Sequence, residues 1–152
     1  MDICLNINSE KKVNRILRAK ISKLIEYALR KLHTESACVS INFVSRRIMQ
    51  QMNRKYRGKD RVTDVLSFAV YDGSPAEFIG VNDLGDIFIC IPVIEKQARE
   101  FGVTVEEELF RMLVHGLLHL LGYDHEKSKK EEKKMFDLQE KILEDYAKKE
   151  NE

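Results

Sequence analysis

The feature that most constrains this chain is an apolar segment at 109–120 that carries two histidines one helical turn apart and breaks at a glycine. Leu109, Met112, Leu113, Leu117 and Leu120 recur at helical spacing, so the segment reads as a buried helix. Thr104 and Glu107 ahead of it form a capping box, and Gly122 ends it because glycine takes a left-handed conformation at little cost. A helix advancing about 100° per residue puts His115 and His119 on one face, where both imidazoles can converge on one ion. His125 supplies a third ligand if the chain doubles back at Gly122. Three protein ligands leave zinc a fourth position, the arrangement of catalytic rather than structural sites. Three of the 4 histidines fall in this run, within an apolar helix where an unpaired imidazole is costly to bury. One shared zinc per chain is therefore the expectation. The remaining histidine, His33, lies at the polar end of another helix and reads as structural.

The rest of the chain mixes strands with helices. Residues 2–7 suit a short strand, after which Ser9 or Asn8 can cap a helix with Ile16, Leu17, Ile21, Leu24, Ile25, Ala28, Leu29 and Leu32 on one stripe. Residues 38–44 alternate Val39, Ile41 and Phe43 with Ser40 and Asn42, the period of a half-buried strand, and a short helix follows near Ile48, Met49 and Met52. Segments 62–71 and 84–91 are further strands, joined by an acidic loop at 72–83 that contains glycine and proline. Pro92 opens a helix, since its missing N–H would be unpaired there anyway. Ser128 and Glu131 cap a last helix that turns Met135, Leu138, Ile142 and Tyr146 inward. This order predicts an α+β fold, a small mixed β-sheet covered by helices. With 152 residues, 43% hydrophobic, only 7 Gly and 2 Pro, and no low-complexity tract, residues 1–152 read as a single domain. Cys4, Cys38 and Cys90 make no Cys-x-x-Cys pair, and no run approaches the roughly 18 apolar residues needed to cross a bilayer. A cytoplasmic protein with no membrane partner is expected.

The run His-Gly-Leu-Leu-His-Leu-Leu-Gly-Tyr-Asp-His at 115–125 resembles the metzincin pattern His-Glu-x-x-His-x-x-Gly-x-x-His, which implies a zincin-like metal helix. One position departs from it. The glutamate that acts as general base in peptide hydrolysis is Gly116 here, which has no side chain to move a proton. The full run more strongly resembles the signature of the YbeY family of metal-dependent endoribonucleases and ribosomal RNA maturation factors. Two further segments carry the resemblance: Tyr56-Arg57 with Thr63-Asp64-Val65-Leu66-Ser67-Phe68, and Leu84-Gly85-Asp86-Ile87. Val62 and Ala69 stand where the family often has proline, changes of backbone rather than of chemistry. The resemblance implies that Arg57 is functional, its planar guanidinium suited to the transition state of phosphoryl transfer.

Local charge agrees with an RNA substrate although the chain as a whole is nearly neutral, at +1. Residues 46–61 hold seven basic side chains against the single acid Asp60, whereas 62–93 hold no Lys or Arg at all. Arg54, Lys55, Lys59 and Arg61 can neutralise phosphates, and Tyr56 offers a ring on which a base of single-stranded RNA stacks. Asp86 or Asp64 can serve as the missing base, orient an imidazole or cap a turn, and Asp124 is an alternative beside His125. The expected function is a zinc-dependent, single-strand-specific endoribonuclease of ribosomal RNA processing, with the 16S 3′ end as its target and components of the small ribosomal subunit as partners. In this reading Arg57 and Asp86 are catalytic. The rivals are a zinc metalloendopeptidase that recruits its base from outside the helix, and a non-catalytic ribosome assembly factor in which zinc only locks the fold.

Overall fold

The computed structural model describes residues 2–9, 11–34, 36–70, 83–124 and 126–152. The elements run β1 (Asp2–Ser9), α1 (Arg15–Lys31), β2 (Ser36–Phe43), α2 (Arg46–Arg57), β3 (Val65–Ala69), β4 (Asp83–Ile89), α3 (Ile91–Phe101), α4 (Val105–Leu120) and α5 (Lys129–Glu150). Among the described residues, the strands form one sheet in the order β1-β2-β4-β3. β1, β2 and β4 are parallel neighbours, and β3 runs antiparallel along β4. This is the expected α+β arrangement of a small mixed sheet under helices. Most of the expected loop at 72–83 lies outside the described residues.

The sheet's two faces differ because its strands alternate. β2 buries Ala37, Val39, Ile41 and Phe43 on one face and leaves Cys38, Ser40 and Asn42 half-buried on the other. The first face meets Ile21, Leu24, Ile25, Ala28 and Leu29 of α1 and Leu113, Leu117 and Leu118 of α4, with Met135 and Ile142 of α5 closing the same core. The opposite face is covered at its β3–β4 end by α2, where Met49, Leu66 and Cys90 form a smaller core with Phe68 and Phe88 packed on it. α4 touches α1, α3, α5, β3 and β4, which makes it the hub of the molecule. A helix so enclosed must be apolar nearly all round, which is why its histidines stand out in the sequence.

Helix boundaries follow their caps. Thr104 and Glu107 exchange both bonds of the capping box, and Ser128 Oγ accepts from the Glu131 N–H at 3.1 Å. Pro92 sits in the first turn of α3. α1 departs from expectation. Its cap is Asn14, whose side chain accepts from the Leu17 N–H at 2.7 Å, because β1 extends through Ser9 to pair with Phe43. Ile16 consequently lies outside the buried stripe at 70% exposure. β3 and β4 are shorter than 62–71 and 84–91, since Asp64 Oδ1 takes the Val65 N–H at 2.8 Å and Ile91 already begins α3. Among the described residues no helix is long and apolar enough to cross a membrane.

Candidate active site

α4 delivers His115 and His119 from one face, and their ring centroids lie 4.8 Å apart at an interplanar angle of 74°. His115 Nδ1 lies 2.9 Å from Gln139 Oε1 on α5. An amide oxygen only accepts, so the His115 tautomer that satisfies this contact carries its proton on Nδ1 and has its lone pair on Nε2. Gln139 is 4% exposed, and packing from both helices fixes the contact. Two imidazoles side by side, one oriented through its Nδ1, suit zinc. The helix then ends as the sequence implied: Gly122 adopts φ 97°, and the Tyr123 N–H returns to the Leu118 carbonyl at 3.0 Å. His125 lies outside the described residues, and among those described no group of three His, Cys, Asp or Glu side chains is placed to hold a metal.

Gly116, beside the first histidine, faces the sheet. A Cβ built there would stand 3.0 Å from both Ile87 Cγ2 and Ser67 Oγ. A glutamate at this position would point into the β3–β4 contact rather than toward a substrate, and its neighbours there would have to give way. The same closeness creates a link. Ser67 Oγ donates to the Gly116 carbonyl at 3.3 Å, and the Ser67 carbonyl accepts from Arg57 Nη2 at 2.7 Å. β3 thus ties the end of α2 to the histidine-bearing turn of α4.

The basic segment gathers around that tie. The Arg57 guanidinium lies 5.0 Å from the Phe68 ring centroid, Tyr56 packs edge-on to Phe68 at 5.3 Å, and Lys55 Nζ lies 5.2 Å from the Tyr56 ring. Tyr56 is half exposed, and Arg54, Lys55, Arg57, Lys59 and Arg61 are all exposed. Three of these cations also sit in the last turn of α2, where they complement the negative end of the helix dipole. Asn53, which is buried, donates to the Arg61 carbonyl at 2.9 Å and so pins the basic loop back onto α2.

The carboxylates separate. Asp86 pairs with Ser40 on one side and Phe68 on the other, which places it on the sheet face covered by α2 and opposite to the face packed by α4. The structure does not bring it to the histidines. Asp64 instead lines a cleft of about 640 Å³ together with His115, Gln139, Glu108 and Arg111. Burial pushes the Glu108 carboxyl above its ordinary range, the Arg111 cation opposes this, and Asp64 and Glu140 reinforce it. Asp124 accepts from the Glu126 N–H at 2.8 Å, a turn-forming role. His33 lies just beyond the end of α1 with φ 56°, outside the cleft-lining residues. Gln139, Ser67 and Glu108 did not emerge from sequence reasoning. Their common signal is a polar residue at the spacing of an apolar stripe or strand face.

Comparison with known proteins gives the family. The model of a family described as Endoribonuclease YbeY matches residues 4–147. A protein named Endoribonuclease YbeY from Persephonella marina is 41% identical over 138 residues, 91% of this chain and 89% of that one. Its namesake from Staphylococcus aureus is 44% identical over 133 residues, covering 84% and 85%. A Thermotoga maritima protein solved in solution superposes with a TM-score of 0.65 at 34% identity, over 92% of this chain and 87% of that one. The chain belongs to the endoribonuclease YbeY family.

Proposed function

We propose that this protein is a zinc-dependent, single-strand-specific endoribonuclease of ribosomal RNA processing, acting at the 3′ end of 16S ribosomal RNA beside components of the small ribosomal subunit, as one cytoplasmic domain over residues 1–152. One zinc per chain would be held by His115, His119 and His125. When bound, zinc supplies Lewis acidity, by acidifying a water or polarising a phosphoryl oxygen. Gln139 orients His115 so that Nε2 is its ligating nitrogen.

The observation that carries the reading is the Arg57–Ser67–Gly116 tie, which links the cationic, aromatic end of α2 through β3 to the histidine-bearing turn. Arg57 spends one N–H on the Ser67 carbonyl, and its fork of donors has others for the scissile phosphate as charge builds there. Tyr56 stacks a base of single-stranded RNA, and Arg54, Lys55, Lys59 and Arg61 follow the phosphate backbone. Asp64 lines the same cleft as His115, which supports it over Asp86 as the proton acceptor, because the register of β4 turns Asp86 toward α2. The peptidase reading loses support because position 116 points into the sheet.

Incubation of zinc-loaded protein with single-stranded RNA tests this, alongside His115→Ala and Arg57→Glu. Each variant is expected to cleave at least about 100-fold more slowly, the scale of losing one group that stabilises developing charge. Wild-type cleavage no faster than that of the two variants rejects the reading.

A further inference from the structure

The sheet face opposite the main core carries a pair of thiols that the histidine site does not use. Cys4 of β1 and Cys38 of β2 are direct partners in the parallel register, and both are free. Alternation along each strand puts their side chains on one face, the same face as Asn8 and Asn42. Those two asparagines, also partners in the register, join Nδ2 to Oδ1 at 3.0 Å, so side chains paired across this face do meet. The two thiols interact as well. Hydrogen bonding to the Cys4 side chain first, and burial second, push the Cys38 thiol above its ordinary range, and the carboxylate of Asp83, its partner on β4, adds to the same effect. Cys4 is exposed and Cys38 half-buried. Neighbouring strands lie about 4.8 Å apart, inside the roughly 4.4–6.8 Å of Cα separation that a disulfide spans.

We propose that Cys4 and Cys38 are a modification site, forming a reversible disulfide that staples β1 to β2 when the protein meets peroxide. The chemistry balances in two steps. The Cys4 sulfur attacks one peroxide oxygen, the O–O bond breaks, the leaving hydroxide departs as water with the thiol proton, and Cys4 becomes a sulfenic acid. The Cys38 sulfur then attacks that of Cys4, the S–S bond forms as the S–O bond breaks, and the hydroxyl leaves with the Cys38 proton as a second water. Together the two thiols give two electrons to the peroxide. Exposure puts Cys4 first in this order, and Cys38, held as a thiol beside it, is the resolving partner. Among the described residues β1 stands at the edge of the sheet with β2 as its strand neighbour, so the bridge reinforces the ladder that holds it. It also encloses α1 in a closed loop, which restricts the unfolded chain. A reducing compartment reopens such a bridge, so the site records oxidant rather than bracing the fold permanently. Cys90 is buried and takes no part. The inference is independent of the metal and RNA readings.

The test treats the full chain with hydrogen peroxide, removes the excess with catalase, blocks the remaining thiols with N-ethylmaleimide in denaturant and maps the peptides by mass spectrometry. A peptide pair joined through Cys4 and Cys38 is expected, with the label on Cys90, and dithiothreitol added before the label is expected to return it to all three cysteines. The oxidised monomer is expected to melt at least about 5 °C above the reduced one. Cys38→Ser keeps the size of the side chain and deletes the resolving sulfur. It is expected to lose both the linked peptide and the gain in melting temperature, and to leave Cys4 as a sulfinic acid or joined to Cys4 of a second copy. Label on both Cys4 and Cys38 of the wild type after peroxide, a wild-type link from Cys4 to a second copy, or an oxidised monomer that melts no higher overturns the inference. The wild-type map decides it even where the variant folds poorly.

Discussion

His115 Nδ1 meets Gln139 Oε1 at 2.9 Å, a contact that favours the tautomer with its proton on Nδ1. Gln139→Leu keeps the volume of the side chain and deletes the acceptor, so zinc affinity is expected to fall about 10–100-fold while the fold persists. Competition with a chromophoric chelator measures this, and unchanged affinity would show that Gln139 does not orient the ligand. The histidine pair was legible because two imidazoles one turn apart stand out on an otherwise apolar helix. Gln139 was not, because its partner lies 24 residues away and the last helix reads equally well with Leu138 as its inward residue. Glu108 makes the second prediction. Burial raises its carboxyl above the ordinary value of 4.5, so the folded chain holds this proton more tightly than the unfolded chain does. Its contribution to stability is therefore lost as pH rises through the raised value. Glu108→Gln removes that loss, and its melting temperature is expected to gain on the wild type from pH 4.5 upward and then level off. A gap that stays constant or shrinks with rising pH contradicts this.

At the scale of elements, α4 approaches the sheet as closely as it does because Gly116 has no side chain. Gly116→Glu, which restores the metzincin residue, is expected to create no peptidase activity and to destabilise the fold by about 3 kcal/mol or more, through overpacking and a buried charge. Chemical denaturation measures the loss, and a variant as stable as the wild type would mean that the helix moves away from β3 and β4 freely. Caps made within a few residues, such as Thr104 with Glu107, could be read from the chain because both partners are local. The start of α1 could not. Ser9 and Asn8 are as suitable for capping as Asn14, and only the pairing of β1 along the whole of β2 assigns Ser9 to the strand. The facing of Asp86 failed to show in the sequence for a related reason. A strand's alternation gives two faces, and which one meets α4 is decided by Ile87 and Ile89 joining the main core.

For the whole molecule, a formal charge of +1 conceals a division that the fold puts to use. α2 and the loop after it carry the cations to one end of the sheet, and β3 joins that end to the helix that carries the histidines. The basic segment was legible from composition alone. Its closeness to the histidines was not, since 48 residues separate Ser67 from His115 in sequence and only the packing of α4 on β3 brings them together. The central claim is that this assembled surface cleaves RNA through a metal held by the three histidines. Its most direct test is the rate at which the chelator-stripped protein cleaves single-stranded RNA before and after one equivalent of zinc is restored. The account predicts that stripping abolishes cleavage, that zinc restores it in the wild type, and that His115→Ala stays inactive under both conditions. Full-rate cleavage by the stripped protein would contradict it.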